Sequence, residues 1–125
     1  MESIFTQIIK NKIPSYKIYE DEKTLAFLDI HPEVRGHVLV VPKTQVDKIY
    51  ELENEDYLAL WQSVKKIAQE MERRLGKRII FKVIGTDVPH AHVHVMPLSE
   101  TWSDGKTLSL SDAEMQQIQE QLKIN

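Results

Sequence analysis

A long amphipathic helix is predicted between residues 54 and 75. Apolar side chains recur there every three or four positions and form one stripe along the helix. Asn54 is placed to cap its start, acidic residues follow in the first turn, and Gly76 is placed to end it. The stripe indicates that one side of this helix packs on a core.

Two shorter helices are predicted near the ends of the chain. Ser3 can cap a helix to about Asn11, with apolar residues three and four apart on one side. Ser111-Asp112-Ala113-Glu114 has the Ser-x-x-Glu form of a capping box, and it opens a final helix that ends near Lys123. Between the first helix and the long one the apolar runs are shorter, which favours strands.

Five short apolar runs have the length and composition of strands. They cover residues 16–20, 24–29, 37–42, 78–84 and 89–97. The first two runs are joined by the polar turn Asp21-Glu22-Lys23, which predicts a hairpin. The third run is apolar almost throughout, which predicts a strand that is buried on both faces.

The last of these runs carries three histidines, in His90-Ala91-His92-Val93-His94. Because side chains alternate along a strand, the three imidazoles are predicted on one face and the apolar residues on the other. Packing alone explains such a row poorly. A metal site is a second explanation, since His-x-His is a common ligand spacing, but the chain has no Cys and Asp87 is the only acid nearby in sequence. The third is phosphorus chemistry, because neutral imidazole is a good nucleophile near pH 7 and neighbouring donors can stabilise phosphate charge.

Composition narrows the class of protein. The chain has 125 residues, which suits one domain, and 42% of them are hydrophobic, which is enough to fill a core. The net charge of −3 gives no sign of a nucleic-acid partner, so local donors must bind any anionic substrate. Zero cysteines exclude disulfides and thiolate zinc sites. The N-terminus lacks the apolar core of a signal peptide and no run approaches the roughly 18 residues of a membrane span, so a cytoplasmic protein is expected.

The stretch from His90 to Met96 resembles the His-φ-His-φ-His-φ-φ signature of the histidine triad (HIT) superfamily, where φ is an apolar residue. Other motifs stand in the order seen in its Hint (histidine triad nucleotide-binding) branch: Ser3-Ile4-Phe5-Thr6-Gln7-Ile8-Ile9, Ile13-Pro14, Leu25-Ala26-Phe27-Leu28-Asp29-Ile30 and Gly36-His37-Val38-Leu39-Val40-Val41-Pro42-Lys43. The resemblance covers residues 3–97 of a single predicted domain, 1–125, and leaves 98–125 as a variable extension. It implies an α+β fold, a five-stranded antiparallel sheet with the long helix and two short terminal helices, in a two-fold homodimer.

The resemblance also implies a role for each histidine. His92 matches the family's nucleophile, which forms a nucleotidyl-histidine that water then cleaves. His90 and His94 match residues that bind and polarise the phosphate oxygens. His37 matches a fourth histidine that helps to orient the nucleophile, with a backbone carbonyl near it holding the proton of the second ring nitrogen.

Nucleotide contacts are predicted in three places. Asp29 matches a carboxylate that accepts hydrogen bonds from both ribose hydroxyls, and the neighbouring Ile packs on the base. An apolar purine pocket is predicted from Phe5, Ile8, Ile13, Phe27 and Ile30. Gly85 and Thr86 are candidates for binding phosphate oxygens through their backbone amides and the Thr hydroxyl.

The loop before the triad departs from the Hint pattern. It is short, Gly85 to Pro89, as in other bacterial HIT proteins, and it places Asp87 near the position where that branch has a Ser. An acid beside a phosphate site is unfavourable unless it points away or binds a cation. The fragile-histidine-triad branch has a Gln where this chain has Val88, which argues against a dinucleoside polyphosphate hydrolase. In the C-terminal segment, Trp102 is a candidate to reach the active site of a partner subunit.

The expected activity is that of a purine-nucleotide-binding hydrolase or nucleotidyl transferase that cleaves nucleoside phosphoramidates of AMP- or GMP-like nucleotides. No cofactor is required by this chemistry, and zinc at the histidines stays an alternative. A dinucleoside polyphosphate hydrolase, a nucleotide-binding interaction protein with incidental hydrolysis, and a metal-binding module also stay open.

Overall fold

The computed structural model describes residues 1–101 and 104–124. Within them lie helices α1 (Ile4–Ile9), α2 (Asn54–Leu75) and α3 (Asp112–Leu122), a short 3-10 turn (Ile49–Glu51), and strands β1 (Lys17–Glu20), β2 (Thr24–Leu28), β3 (Val38–Pro42), β4 (Ile79–Lys82) and β5 (Val93–Pro97). The strands form one antiparallel sheet in the order β1-β2-β3-β5-β4. The α+β fold with a five-stranded antiparallel sheet and three helices is therefore confirmed.

Capping explains where the helices begin and end. Ser3 caps α1 and Ser111 caps α3, each with its side chain accepting a hydrogen bond from a backbone amide of the first turn. Gly76 ends α2 in the left-handed conformation at φ 67°, which glycine adopts without steric cost. The predicted cap at Asn54 is wrong: the extended residue before the helix is Glu53, and Asn54 already lies in the first turn.

Both faces of the sheet are covered. Along β2 and β3 every residue is buried, because alternate side chains enter two different clusters. The larger cluster lies between the sheet, α2 and α3, and includes Val93 and Val95 of β5. The smaller cluster lies on the opposite face, where Phe5 and Ile8 of α1 pack on the sheet. Since β5 alternates, its histidine side faces the smaller cluster, away from α2.

The strand that was predicted to carry the whole triad is shorter than expected. It begins at Val93, so His90, Ala91 and His92 precede it. Continuing the register of Val40 with Val93 would pair Pro42 with Ala91, but Pro42 has no N–H to donate. Its carbonyl instead accepts a hydrogen bond from the His90 ring, and the Ala91 amide donates to the Val46 carbonyl at 2.8 Å. The triad therefore combines one histidine on a strand with two in the segment that leads into it.

Strand β4 forms an edge of the sheet and is only partly covered. Phe81 is about half exposed, and Tyr57 and Leu58 of α2 are also exposed. Tyr57, Trp61 and Phe81 form a chain of aromatic contacts, with successive ring centroids 6.4 and 6.3 Å apart. In residues 1–101 and 104–124, no helix has the length and apolar character needed to cross a membrane.

Candidate active site

A cavity of about 460 Å³ opens on the face of the sheet that carries α1. Its walls bring together every residue of the predicted apolar pocket, namely Phe5, Ile8, Ile13, Phe27 and Ile30. Three of the four predicted histidines, His37, His92 and His94, line the same cavity, as does Asp29. The cavity is thus apolar on the side of α1 and polar where the triad lies.

The hydrogen bond of His92 selects its tautomer. Its Nδ1 lies 2.7 Å from the backbone carbonyl of His90. A carbonyl can only accept, so Nδ1 carries the proton and Nε2 keeps its lone pair. The ring of Phe5 contacts the imidazole edge-on, with centroids 5.1 Å apart, which fixes the plane of the ring. This hydrogen bond therefore leaves Nε2 as the ring nitrogen of His92 that has no protein partner to hold its proton.

His37 and His94 form a directional chain of hydrogen bonds. The Glu33 amide donates to His37 Nδ1 at 3.0 Å, so the proton of His37 is on Nε2. That Nε2–H donates to His94 Nδ1 at 2.8 Å, which places the proton of His94 on its Nε2. His94 Nε2 is buried and has no hydrogen-bond partner within the described part of the chain. The chain of bonds leaves an N–H without a protein acceptor on His94, a residue that lines the cavity.

The fourth histidine acts on a different member of the triad from the one predicted. His37 was expected to help to orient His92, with a carbonyl near His37 holding the proton of the nucleophile. In the structure the acceptor is the carbonyl of His90, and the ring of His37 bonds to His94. The physical reason is register: β3 pairs Leu39 with His94, and His37, two residues before Leu39, lies on the same side and reaches His94.

Burial keeps this pair of histidines neutral. Burial, followed by the nearby His94 and Lys82, lowers the pKa of His37 to about 3. Burial, followed by His92 and Lys82, lowers the pKa of His94 to about 4, although Glu33 and Asp87 oppose the shift. Both rings are therefore uncharged at pH 7, and each has one donor and one acceptor nitrogen.

His90 lies behind the cavity wall rather than in it. It is completely buried, at 0% exposure, and it is absent from the described residues that line the cavity. Its Nε2 lies 2.8 Å from the Pro42 carbonyl and its Nδ1 lies 2.7 Å from Ser3 Oγ. With both ring nitrogens bonded to protein atoms, His90 has no free donor for a phosphate oxygen. The direct phosphate contact expected of His90 is not available in this arrangement.

Asp29 lies at the boundary between the apolar and polar walls. One carboxylate oxygen accepts from the backbone amide of His31 at 2.9 Å, and the other lies 3.6 Å from His37 Nε2. Burial raises the pKa of this carboxyl. Asp29 thus offers an oriented oxygen acceptor beside the histidine pair.

The cavity also contains charges that sequence reasoning missed. Lys82 lines it and forms an ion pair with Glu33, with Nζ and Oε2 2.5 Å apart. The register of the strands explains the position of Lys82, because Lys82 pairs with His94 across β4 and β5 and so shares its face. In the pre-triad loop, Asp87 and Val88 line the cavity, whereas Gly85 and Thr86 are not among the described lining residues.

Asp29, His37 and His94 could also hold a metal ion, since one ligand atom from each lies within 4.8 Å of the others. The two histidine nitrogens concerned are already joined by the 2.8 Å hydrogen bond, so an ion would have to displace the shared proton. Neutral imidazole and carboxylate are suitable zinc ligands, but this pair is also satisfied without an ion. Trp102, which was predicted to reach a partner subunit, lies outside the described residues.

The sequence matches the HIT domain family over residues 10–101. The chain belongs to the HIT domain family. This HIT protein is 34% identical over 125 residues to an uncharacterized HIT-like protein of Methanocaldococcus jannaschii, covering 96% of this chain and 95% of that protein. It is 34% identical over 98 residues to the adenosine 5'-monophosphoramidase of Saccharomyces cerevisiae, covering 75% of this chain and 61% of that protein. The adenosine 5'-monophosphoramidase of Schizosaccharomyces pombe is 35% identical over 99 residues, covering 78% of this chain and 74% of that protein.

Solved structures share the fold over nearly the whole chain. A HIT-like protein from Bartonella henselae, described as involved in cell-cycle regulation, superposes with a TM-score of 0.85 at 27% identity, covering 98% of this chain and 95% of that one. A zinc-bound histidine triad family protein from Mycobacterium smegmatis gives a TM-score of 0.82 at 27% identity, covering 98% of this chain and 91% of that one. The resemblance to the histidine triad superfamily, which was based on the triad motif, is therefore confirmed.

Proposed function

We propose that this HIT protein is a nucleotide hydrolase that cleaves nucleoside phosphoramidates through a nucleotidyl-histidine on His92. The observation that carries the proposal is the bond from His92 Nδ1 to the His90 carbonyl, which leaves Nε2 as the nucleophilic nitrogen of a residue in the cavity wall. Two relatives named adenosine 5'-monophosphoramidase support the choice of a phosphorus–nitrogen bond.

In the first step, the lone pair of His92 Nε2 attacks the α-phosphorus and the bond to the leaving nitrogen breaks. The leaving amine takes up one proton from solvent as it departs. The imidazole becomes positively charged when Nε2 bonds to phosphorus, and the carbonyl of His90 stabilises that charge through Nδ1–H. The N–H of His94 donates to a non-bridging oxygen of the phosphoryl group.

In the second step, water attacks the same phosphorus from the side opposite to His92. The bond between phosphorus and Nε2 breaks, the nucleoside monophosphate leaves, and the proton lost by water returns to solvent. His92 regains its starting tautomer, because the proton stays on Nδ1, hydrogen-bonded to the His90 carbonyl, throughout. One imidazole thus serves as nucleophile and then as leaving group, and protein donors stabilise the charge.

The rest of the cavity suits a purine nucleoside. The base would lie among the side chains of Phe5, Ile8, Ile13, Phe27 and Ile30. The ribose hydroxyls would donate to Asp29, which stands between these apolar residues and the histidine pair. An AMP- or GMP-like nucleotide is the proposed ligand, and no metal is needed for this route.

A homodimer is part of the proposal. Phe81 lies on the edge strand β4, and it adjoins Tyr57, Trp61 and Leu58 on the exposed side of α2. An exposed edge strand beside aromatic side chains is a self-association surface.

Light scattering should give the mass of two chains, and Phe81→Glu should convert the protein to monomers while leaving it folded. A monomeric wild type at micromolar concentration would contradict the dimer.

The activity is tested by steady-state hydrolysis of an adenosine phosphoramidate beside a diadenosine polyphosphate, with and without chelator. Wild type should turn over the phosphoramidate with no loss on chelation, and His92→Ala and His92→Asn should reduce kcat by at least a thousandfold. Lys65→Ala, which changes an exposed residue of α2 outside the cavity wall, is the control and should keep wild-type kcat. Full turnover by His92→Ala would remove the mechanism. AMP binding without turnover of either substrate would favour a nucleotide-binding interaction protein.

A further inference from the structure

His90 contributes two separate parts of the site, its buried ring and its backbone carbonyl. The ring's Nε2 donates to the Pro42 carbonyl, because a carbonyl can only accept. His90 Nδ1 must then be the acceptor, so the hydroxyl of Ser3, 2.7 Å away, is the donor. The ring is tied to the end of β3 through one nitrogen and to the start of α1 through the other.

Ser3 is itself held on three sides. Its hydroxyl oxygen accepts from the amide of Thr6 at 3.0 Å, and its own backbone amide donates to Gln45 Oε1 at 2.8 Å. The Thr6 hydroxyl donates to the same Gln45 oxygen at 2.6 Å, while Gln45 Nε2 donates to the Met1 carbonyl at 2.9 Å. Ser3 therefore joins three groups: its hydroxyl contacts the first turn of α1 and the ring of His90, and its backbone amide contacts the segment that follows β3.

We infer that Ser3 is a positioning residue for the reaction: by fixing His90, it fixes the carbonyl that holds His92 in its reactive tautomer. This inference rests on the function proposed above. The ring and the carbonyl of His90 belong to one residue in a segment outside the sheet, so no strand ladder fixes that carbonyl. The Ala91 amide, which shares a peptide unit with this carbonyl, donates to the Val46 carbonyl at 2.8 Å, and the two ring bonds add a further constraint. They also hold the carbonyl in place when the imidazole of His92 becomes a cation.

Ser111 provides a matched comparison. It is also a serine N-cap, and its hydroxyl accepts from the Glu114 amide at 3.1 Å, as Ser3 accepts from Thr6. Its helix, α3, packs on α2 and β1, on the far face of the sheet from the cavity. Removing either hydroxyl removes a helix cap, but only Ser3 also donates to a histidine.

The test compares Ser3→Ala, Ser3→Thr and Ser111→Ala in the full chain. Ser3→Ala should lower kcat for the adenosine phosphoramidate by roughly threefold to tenfold, the effect of one hydrogen bond, with KM within twofold of wild type. Ser3→Thr keeps the hydroxyl and should restore kcat. Ser111→Ala should lower the melting temperature less than Ser3→Ala, because it removes only a cap bond, and it should leave kcat unchanged. Equal kcat in Ser3→Ala and wild type, or an equal loss in Ser111→Ala, would overturn the inference.

A second readout separates this inference from the proposed function. The 15N chemical shifts of the His92 ring report which nitrogen carries the proton, without any substrate. Wild type and Ser3→Thr should show a single tautomer protonated at Nδ1, and Ser3→Ala should show a mixture of the two tautomers. If wild type has no phosphoramidase activity, the proposed function fails while the spectra still decide the role of Ser3. Identical His92 spectra in Ser3→Ala and wild type would overturn that role even if wild type is active.

Discussion

Mild acid should destabilise the fold through two histidines of the cavity. In the folded protein the pKa of His37 is about 3 and that of His94 about 4, against 6.5 for an unperturbed histidine. Unfolding releases both rings into water, where they bind protons at a pH that is several units higher than in the folded protein. The unfolded state therefore binds more protons than the folded state between pH 6.5 and 4, and proton binding favours unfolding.

The sign follows from the direction of the shifts. A base whose folded pKa is depressed contributes stability that is fully present above its unfolded pKa and is lost as the pH falls towards its folded pKa. At pH 7.5 both histidines are neutral in both states, so the penalty is close to zero. A pH of 5.0 lies about 1.5 pH units below the unfolded pKa of 6.5, so protonation stabilises each unfolded ring by about 2 kcal/mol. Each folded ring stays mostly neutral at this pH, because its pKa is lower still. His37 and His94 together should lower the free energy of unfolding by about 4 kcal/mol across this window.

Urea unfolding at pH 7.5 and pH 5.0 measures the difference. His37→Gln keeps an N–H donor towards His94 but cannot titrate, so its loss across the window should be about 2 kcal/mol smaller than that of wild type. His31→Gln, which changes an exposed histidine, should follow the wild type. The window ends at pH 5.0 because carboxylates titrate below it.

A free energy of unfolding that changes by less than about 1 kcal/mol between these pH values would refute the reasoning. So would a His37→Gln variant with the full wild-type dependence. Either result would mean that the two rings are protonated or hydrated in the folded protein, and that His94 does not present a neutral donor to the cavity.

Three further outcomes are expected. Asp29→Asn should lower kcat/KM for a ribonucleoside phosphoramidate by about tenfold or more and lower it less for the 2'-deoxy analogue, which keeps only one of the two hydroxyls; equal losses for both would contradict the ribose contact. Asp87→Asn should raise kcat/KM a few-fold at low salt and less at high salt, since it removes a negative charge beside the phosphate; a salt-independent effect would argue against this explanation. Prolonged chelation should leave kcat unchanged, and loss of activity that zinc restores would point to an ion at Asp29, His37 and His94.

Much of the fold follows from local patterns. Helix α2 spans the predicted residues because its apolar stripe and Gly76 specify its face and its end. The two-sided burial of β3 was predicted from its apolar composition and is confirmed. The cap of α2 was predicted one residue late, because Glu53 adopts the extended cap conformation without a side-chain hydrogen bond and so leaves no signature in the sequence.

The site was less predictable, because its hydrogen bonds cross between distant segments. Period-two alternation put His90, His92 and His94 on one face, but the ladder stops where Pro42 cannot donate, and His90 turns towards Ser3 instead. The partnership of His37 with His94 depends on the register of β3 and β5, which hydrophobic pattern alone does not give. The placement of Lys82 follows from the register of β4 in the same way.

The central claim is that hydrolysis proceeds by two displacements with His92 as the intermediate nucleophile. The most direct test is the stereochemistry at phosphorus, measured with a P-chiral phosphorothioate analogue of the adenosine phosphoramidate hydrolysed in isotopically labelled water. Each in-line displacement inverts the phosphorus, so attack by His92 followed by water predicts a product with net retention of configuration. Net inversion would mean that water attacks the substrate directly, and it would contradict the nucleotidyl-histidine whatever the kinetics of the His92 variants.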